Sequence, residues 1–141
     1  MMVIRWIVSG VVVAIISQVV GFVIYGLIFG KFCAMSEGIW RPMTDICWSV
    51  GMPLTDLLAG LMFALGYLLL YKGIPGKGIN KGFTFGLIVW LMARVPGELY
   101  FYTMIPIHRM LVFAGWLQGL LSLCLGGLVI AALYGKTLEE K

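Results

Sequence analysis

Apolar positions fall in four blocks separated by short polar stretches: residues 6–29, 54–71, 82–107 and 110–134. A helix needs about 20 mostly apolar residues to cross the hydrocarbon core of a bilayer, and each block meets or nears that length. None shows the ten-residue alternation of a membrane β-strand. The pattern predicts an all-α, polytopic membrane bundle of four transmembrane helices in one domain. The expected spans are about 4–30, 52–72, 80–105 and 109–135. Arg5 in front of the first block gives it a passing likeness to a signal peptide. Its apolar stretch exceeds the ~7–15 residues of a signal core and no small-residue cleavage site follows, so it is expected to stay as the first span.

The third block is interrupted by "RVPGE", Arg94 to Glu98. Proline lacks an N–H and disfavours helical geometry at the residue before it. It suits the first position of a helix, where an acidic residue two places on complements the positive end. The spacing predicts a broken third helix, one piece ending near Arg94 and another starting at Pro96. As a plain i,i+4 pair, Arg94 before Glu98 is the less favourable order. At ~1.5 Å per residue from Lys81, Arg94 lies about 20 Å along the helix. That depth is the outer third of a core of about 30 Å.

"PMTD" (42–45) and "PLTD" (53–56) repeat one four-residue form. In each, proline opens a helix and Asp45 or Asp56 falls in its first turn. This predicts a short external helix over about 42–50, interfacial or re-entrant, with the second span starting near Pro53. Helix capping alone accounts for both aspartates without any function.

The halves on either side of "YKGIPGKGINKG" (71–82) resemble each other. "GFVIYGLIFG" (21–30) echoes "GFTFGLIVW" (82–90), and 58–73 loosely matches 117–136. A two-helix tandem repeat of this kind would be related by an axis along the membrane normal; chance likeness between glycine- and leucine-rich helices is the alternative. Small residues recur at four-residue spacing: Gly26 and Gly30, Gly78 with Gly82 and Gly86, Gly115 and Gly119, and Gly127 with Ala131 and Gly135. Such spacing lets helix backbones approach closely. It serves packing inside one bundle, self-association, or a membrane partner.

Composition closes the question of class. The chain is 62% hydrophobic and 11% charged, against about 25% charged in soluble domains. Arg5, Lys72, Lys77, Lys81, Lys136 and Lys141 flank one side of the spans, with only Lys31, Arg41, Arg109 and Arg94 on the other. This bias predicts both termini in the cytoplasm. The basic residues are scattered, which gives no nucleic-acid surface; the expected partners are the lipid bilayer and other membrane helices.

Candidate chemistry gathers at the external face: Glu37, Arg41, Asp45, Asp56, Arg94, Glu98, His108 and Arg109. Ionisable groups at membrane depth usually face a cavity or a partner. They suggest a polar vestibule with Arg94 and Glu98 as its floor and Asp56 and Arg109 on neighbouring helices; mutual ion pairing is the competing account. Ser17, Gln18, Gln118 and Ser122 read as ordinary interhelical hydrogen bonding. His108 is the only histidine, so paired-histidine haem ligation and a zinc cluster are not expected, and no cofactor is. Cys33 and Cys47 share one loop, where a disulfide or two free thiols are both open.

"VGFVIYGLIFGKFCAM" (20–35), with "GGLVIAALYGK" (126–136) closing the last helix, resembles a group of small bacterial four-helix membrane proteins of unknown function. This chain has Ile24 where a tryptophan often precedes the tyrosine. The resemblance implies the fold, in a bacterial inner membrane, and no activity. Three function classes follow: an oligomeric unit that binds or passes a small ligand or ion, a non-catalytic accessory subunit of a larger membrane complex, and an enzyme acting on a lipid or thiol. The third ranks last because no nucleophile–base pair is apparent.

Overall fold

Long apolar blocks must satisfy their backbone groups internally, which favours helix. The structure, a computed structural model describing residues 2–36, 38–42 and 44–139, is helical with no strand among those residues. Glu37 and Lys141 lie outside the described residues. Helix α1 (Met2–Gly21) continues through a π-helical segment (Phe22–Ile28), and α2 (Gly30–Ala34) follows it. A second π-helical segment (Cys47–Gly51) runs directly into α3 (Met52–Leu70). Helix α4 (Ile79–Val89), a third π-helical segment (Trp90–Arg94) and α5 (Val95–Met104) follow one another without a gap, and α6 (Arg109–Glu139) completes the chain.

Three helices are long and apolar enough to cross a membrane: Val3–Ile28, Cys47–Gly73 and Arg109–Tyr134. The chain is thus an all-helical, membrane-type protein. The fourth helical run, over 79–104, carries Arg94, Pro96, Gly97 and Glu98 in its second half and is not among those three.

Consecutive long helices alternate in direction. Gly10 on α1 meets Gly60 on α3, and Gly82 on α4 meets Gly127 on α6, each pair so close that a Cβ would collide with the opposing backbone carbonyl. Gly86 bears on the Leu123 carbonyl in the same way. Two hairpins result, α1–α3 and α4/α5–α6, and α1 joins them by packing along α6. Val13 lies against Gly126, and Ser17 bonds Gln118 near the other end of that contact. Below that bond, Val13, Phe63, Ala64, Tyr67, Phe85 and Ile130 form a closed apolar core.

Three expectations change. The third helix is not broken near Pro96: Arg94 (φ −76°, ψ −44°) and Val95 (φ −61°, ψ −53°) are both helical. The π-helical segment reaches one residue further back for its partner, Val95 N–H bonding the Trp90 carbonyl. That wider turn carries the ladder past the position where proline supplies no donor. Among the described residues of 42–50 there is no separate helix either. Residues 47–51 form a π-helical extension of α3, because Asp45, not Pro42, starts the helical turn. Finally, the match of 58–73 to 117–136 pairs Gly60 with Gly119, whereas the glycine that plays Gly60's part in the second hairpin is Gly127.

Candidate functional site

Four helical segments supply polar side chains at one level of the bundle. From the π-helical Trp90–Arg94 segment, the Arg94 guanidinium makes a 3.0 Å ion pair with Glu98 one turn on. Its Nη2 donates to Gln118 Oε1 on α6 at 3.0 Å, and its Nε faces the Gly115 carbonyl at 3.4 Å. Gln118 Nε2 then donates to Ser17 Oγ on α1 at 3.3 Å and to Ser122 Oγ at 3.2 Å. Ser17 donates to Asp56 Oδ1 on α3 at 3.2 Å, and Gln18 Nε2 donates to Asp56 Oδ2. One hydrogen-bonded chain therefore runs Glu98, Arg94, Gln118, Ser17, Asp56, Gln18. Its dipoles point head to tail from the cation to the second carboxylate, an arrangement that strengthens each bond in a low-dielectric setting.

Arg94 and Glu98 pair against their usual helical preference because α6 leaves them a channel. A Cβ on Gly119 would strike the Arg94 stem, and one on Gly115 would strike the Glu98 carboxyl. These two glycines seat charged side chains rather than a neighbouring backbone. The ion pair is unequally covered, with the Arg94 side chain 39% exposed and Glu98 13%. Tyr25, in the π-helical segment that extends α1, lies within interaction range of Arg94 and Glu98. Two indoles brace the third π-helical segment to α6: Trp90 Nε1 bonds the Trp116 carbonyl at 2.9 Å, and Trp116 Nε1 bonds the Val95 carbonyl at 3.3 Å. All three π-helical segments lie in the half of the bundle that holds this network, and such widened turns concentrate where side chains are aimed for function.

Of the seven charged or titratable candidates among the described residues, the structure brings Arg94, Glu98 and Asp56 into one network. Asp56 does not cap α3; it reaches across to α1. Arg41 and Asp45 form a separate 3.3 Å pair in the 38–46 turn. Asp45 Oδ1 there accepts the Cys47 N–H at 2.9 Å. That bond, with Arg41 behind it, holds the Asp45 carboxyl below its ordinary range. His108 precedes α6 and caps it, its Nδ1 accepting the Met110 N–H at 3.2 Å while its ring stacks on Phe32. Arg109 is exposed at the first turn of α6 and shares no hydrogen bond with the network. Cys33 and Cys47 are free thiols, and burial pushes the Cys33 thiol up.

The network's relays are Ser17, Gln18, Gln118 and Ser122, which sequence reading takes for generic interhelical bonds; Tyr25 adjoins it at Arg94. A usable signal was present in their depth: at ~1.5 Å per residue, Ser17, Asp56, Arg94 and Gln118 all fall at similar heights along their helices. Below this level Val13, Phe63 and Phe85 are buried against one another, so the network ends on a closed core within the chain. No family model, curated protein or solved structure matches the chain, and the meaning of the network rests on its own geometry.

Proposed function

We propose that this protein is a small-ion or small-ligand binding and permeation unit of a bacterial inner membrane, working as an oligomer of four-span subunits with both termini cytoplasmic. The four-span, inner-membrane part of this reading is what the resemblance of the first and last helices to small four-helix membrane proteins implies. The observation that carries the reading is the network joining Arg94, Glu98 and Asp56 through Gln118 and Ser17 across four helical segments. Charged side chains at membrane depth are costly, rare and concentrated on ion or substrate routes. A purely structural bundle needs none of them.

The closed core beneath the network argues for an oligomer. A route through one subunit would have to pass between Val13, Phe63 and Phe85, whereas a route between subunits would skirt them. Coverage agrees, since only 28% of the Val3–Ile28 window and 22% of the Cys47–Gly73 window are buried, against 44% for Arg109–Tyr134. Helices α1 and α3, which carry Ser17 and Asp56, thus have wide faces free for other copies.

The test is ligand-dependent stabilisation of the purified chain across a panel of small ions and metabolites, with Arg94→Gln and Glu98→Gln beside the wild type. Both variants are expected to keep the helical circular-dichroism spectrum and lose the stabilisation. Variants that respond as the wild type does would sink the proposal. Co-purification of a distinct membrane protein in fixed ratio would favour the accessory-subunit reading instead.

A further inference from the structure

We infer that Asp56, with Ser17 and Gln18, forms a binding site for a monovalent metal cation of the sodium–potassium class. The inference deepens the ion-binding reading above and rests on it.

Charge balance comes first. Asp56 and Glu98 are two carboxylates on one connected network, and Arg94 is its one guanidinium. Arg94 spends its charge directly on Glu98, and Asp56 receives only the relayed dipoles of Gln118 and Ser17. Both donors that reach Asp56, the Ser17 hydroxyl and the Gln18 amide, are neutral. A carboxylate at membrane depth with neutral partners alone is expensive, and one further positive charge would balance the network.

Ligand chemistry comes second. An ionised carboxylate has about four lone-pair sites, and Ser17 and Gln18 occupy two of them. Ser17 Oγ donates to Asp56 and accepts from Gln118, which leaves it a lone pair. The Gln18 Oε1 oxygen sits on the amide already docked at Asp56. Hard carboxylate, hydroxyl and amide oxygens suit alkali and alkaline-earth ions. Valence separates the two groups. Calcium takes 6–8 oxygens and magnesium a strict octahedron; here a single carboxylate stands at the far end of a dipole chain headed by Arg94. A single charge matches the deficit and a double charge overshoots it.

The experiment uses the full chain in detergent, with thermal unfolding followed by tryptophan fluorescence. Sodium or potassium chloride replaces N-methylglucamine chloride at constant ionic strength. The wild-type midpoint is expected to rise saturably with the alkali cation, and magnesium is expected not to substitute for it. Asp56→Asn is expected to unfold at one temperature whatever the cation. Ser17→Ala, which removes one oxygen and keeps the charge, is expected to need about tenfold more cation for half the effect. A flat wild-type response overturns the inference, as does unchanged saturation in both variants. Should Asp56→Asn fail to fold, Ser17→Ala and Gln18→Ala decide it by the same shift. Cation uptake into vesicles separates this site from the broader reading. Saturable stabilisation without uptake removes permeation and keeps the site, whereas uptake without any cation-dependent stabilisation removes the site and keeps permeation.

Discussion

Gln118 is the residue on which the network turns. Its carbonyl oxygen accepts from Arg94 and both amide hydrogens are spent, on Ser17 and Ser122, so the charge at one end fixes the orientation of every group down to Asp56. Gln118→Leu keeps the volume and removes all three bonds. Interhelical hydrogen bonds in membranes average about 0.6 kcal/mol and reach about 1.7, so the expected loss is about 1–2 kcal/mol, read as a lower unfolding midpoint. Combining it with Asp56→Asn should cost less than the sum of the single changes, because one relay serves both; strict additivity would show that the chain of bonds is not coupled. Asp45 gives a separate test at the same scale. Its carboxyl is held below the ordinary range by the Cys47 N–H and Arg41. The turn it caps is therefore fully stabilised above the unfolded value of about 3.9 and loses that support as pH falls through the folded one. Amide exchange at Cys47, corrected for its intrinsic pH dependence, should lose protection only in that acid window. Asp45→Asn should remove the step, and a step that persists in this variant would assign it to another group.

The glycines divide into two kinds once the elements are assembled. Gly82 lies on the Gly127 backbone across α4 and α6, where a methyl group has nowhere to go; Gly115 lies under the Glu98 carboxyl, whose flexible end can move aside. Overpacking costs about 1–3 kcal/mol when neighbours can adjust. Gly115→Ala should fall in that range and weaken the Arg94–Glu98 pair, while Gly82→Ala should exceed it and separate the second hairpin. Equal unfolding midpoints for the two variants would contradict this division. In sequence both glycines sit in the same four-residue spacing, so the spacing found the close faces without telling backbone contact from side-chain seat. The helices themselves were legible for a simple reason: long apolar blocks have only one way to satisfy their backbones. The π-helical segments were not, because a widened turn leaves no mark in hydrophobic pattern. Pro96 was therefore read as a break where Trp90–Arg94 absorbs the missing N–H. Asp56 shows a similar limit: a first-turn aspartate looks like a cap from its own helix, while its partners Ser17 and Gln18 belong to another.

At the scale of the whole molecule, alternating helix directions put the start of α1, the end of α6 and the 71–82 turn at one end, and the network in the half nearer the other. In the proposed topology, which places the terminal end in the cytoplasm on the lysine and arginine bias, the network faces outward. The native cysteines can test this without new reporters. Cys47 is exposed beside the loop that links the first two spans; Cys33 lies near it but partly buried, with its thiol pushed up; Cys124 is buried within α6. Thiolate is the reactive form, so burial and a raised thiol slow alkylation together. A membrane-impermeant maleimide applied to intact spheroplasts should label Cys47 first, Cys33 more slowly and Cys124 only after denaturation. Inside-out vesicles should protect Cys47 and Cys33 alike. Rapid labelling of Cys47 from the cytoplasmic side would invert the topology and turn the Arg94–Asp56 network toward the cell interior. The charge network would then serve export, with its ion drawn from the cytoplasm.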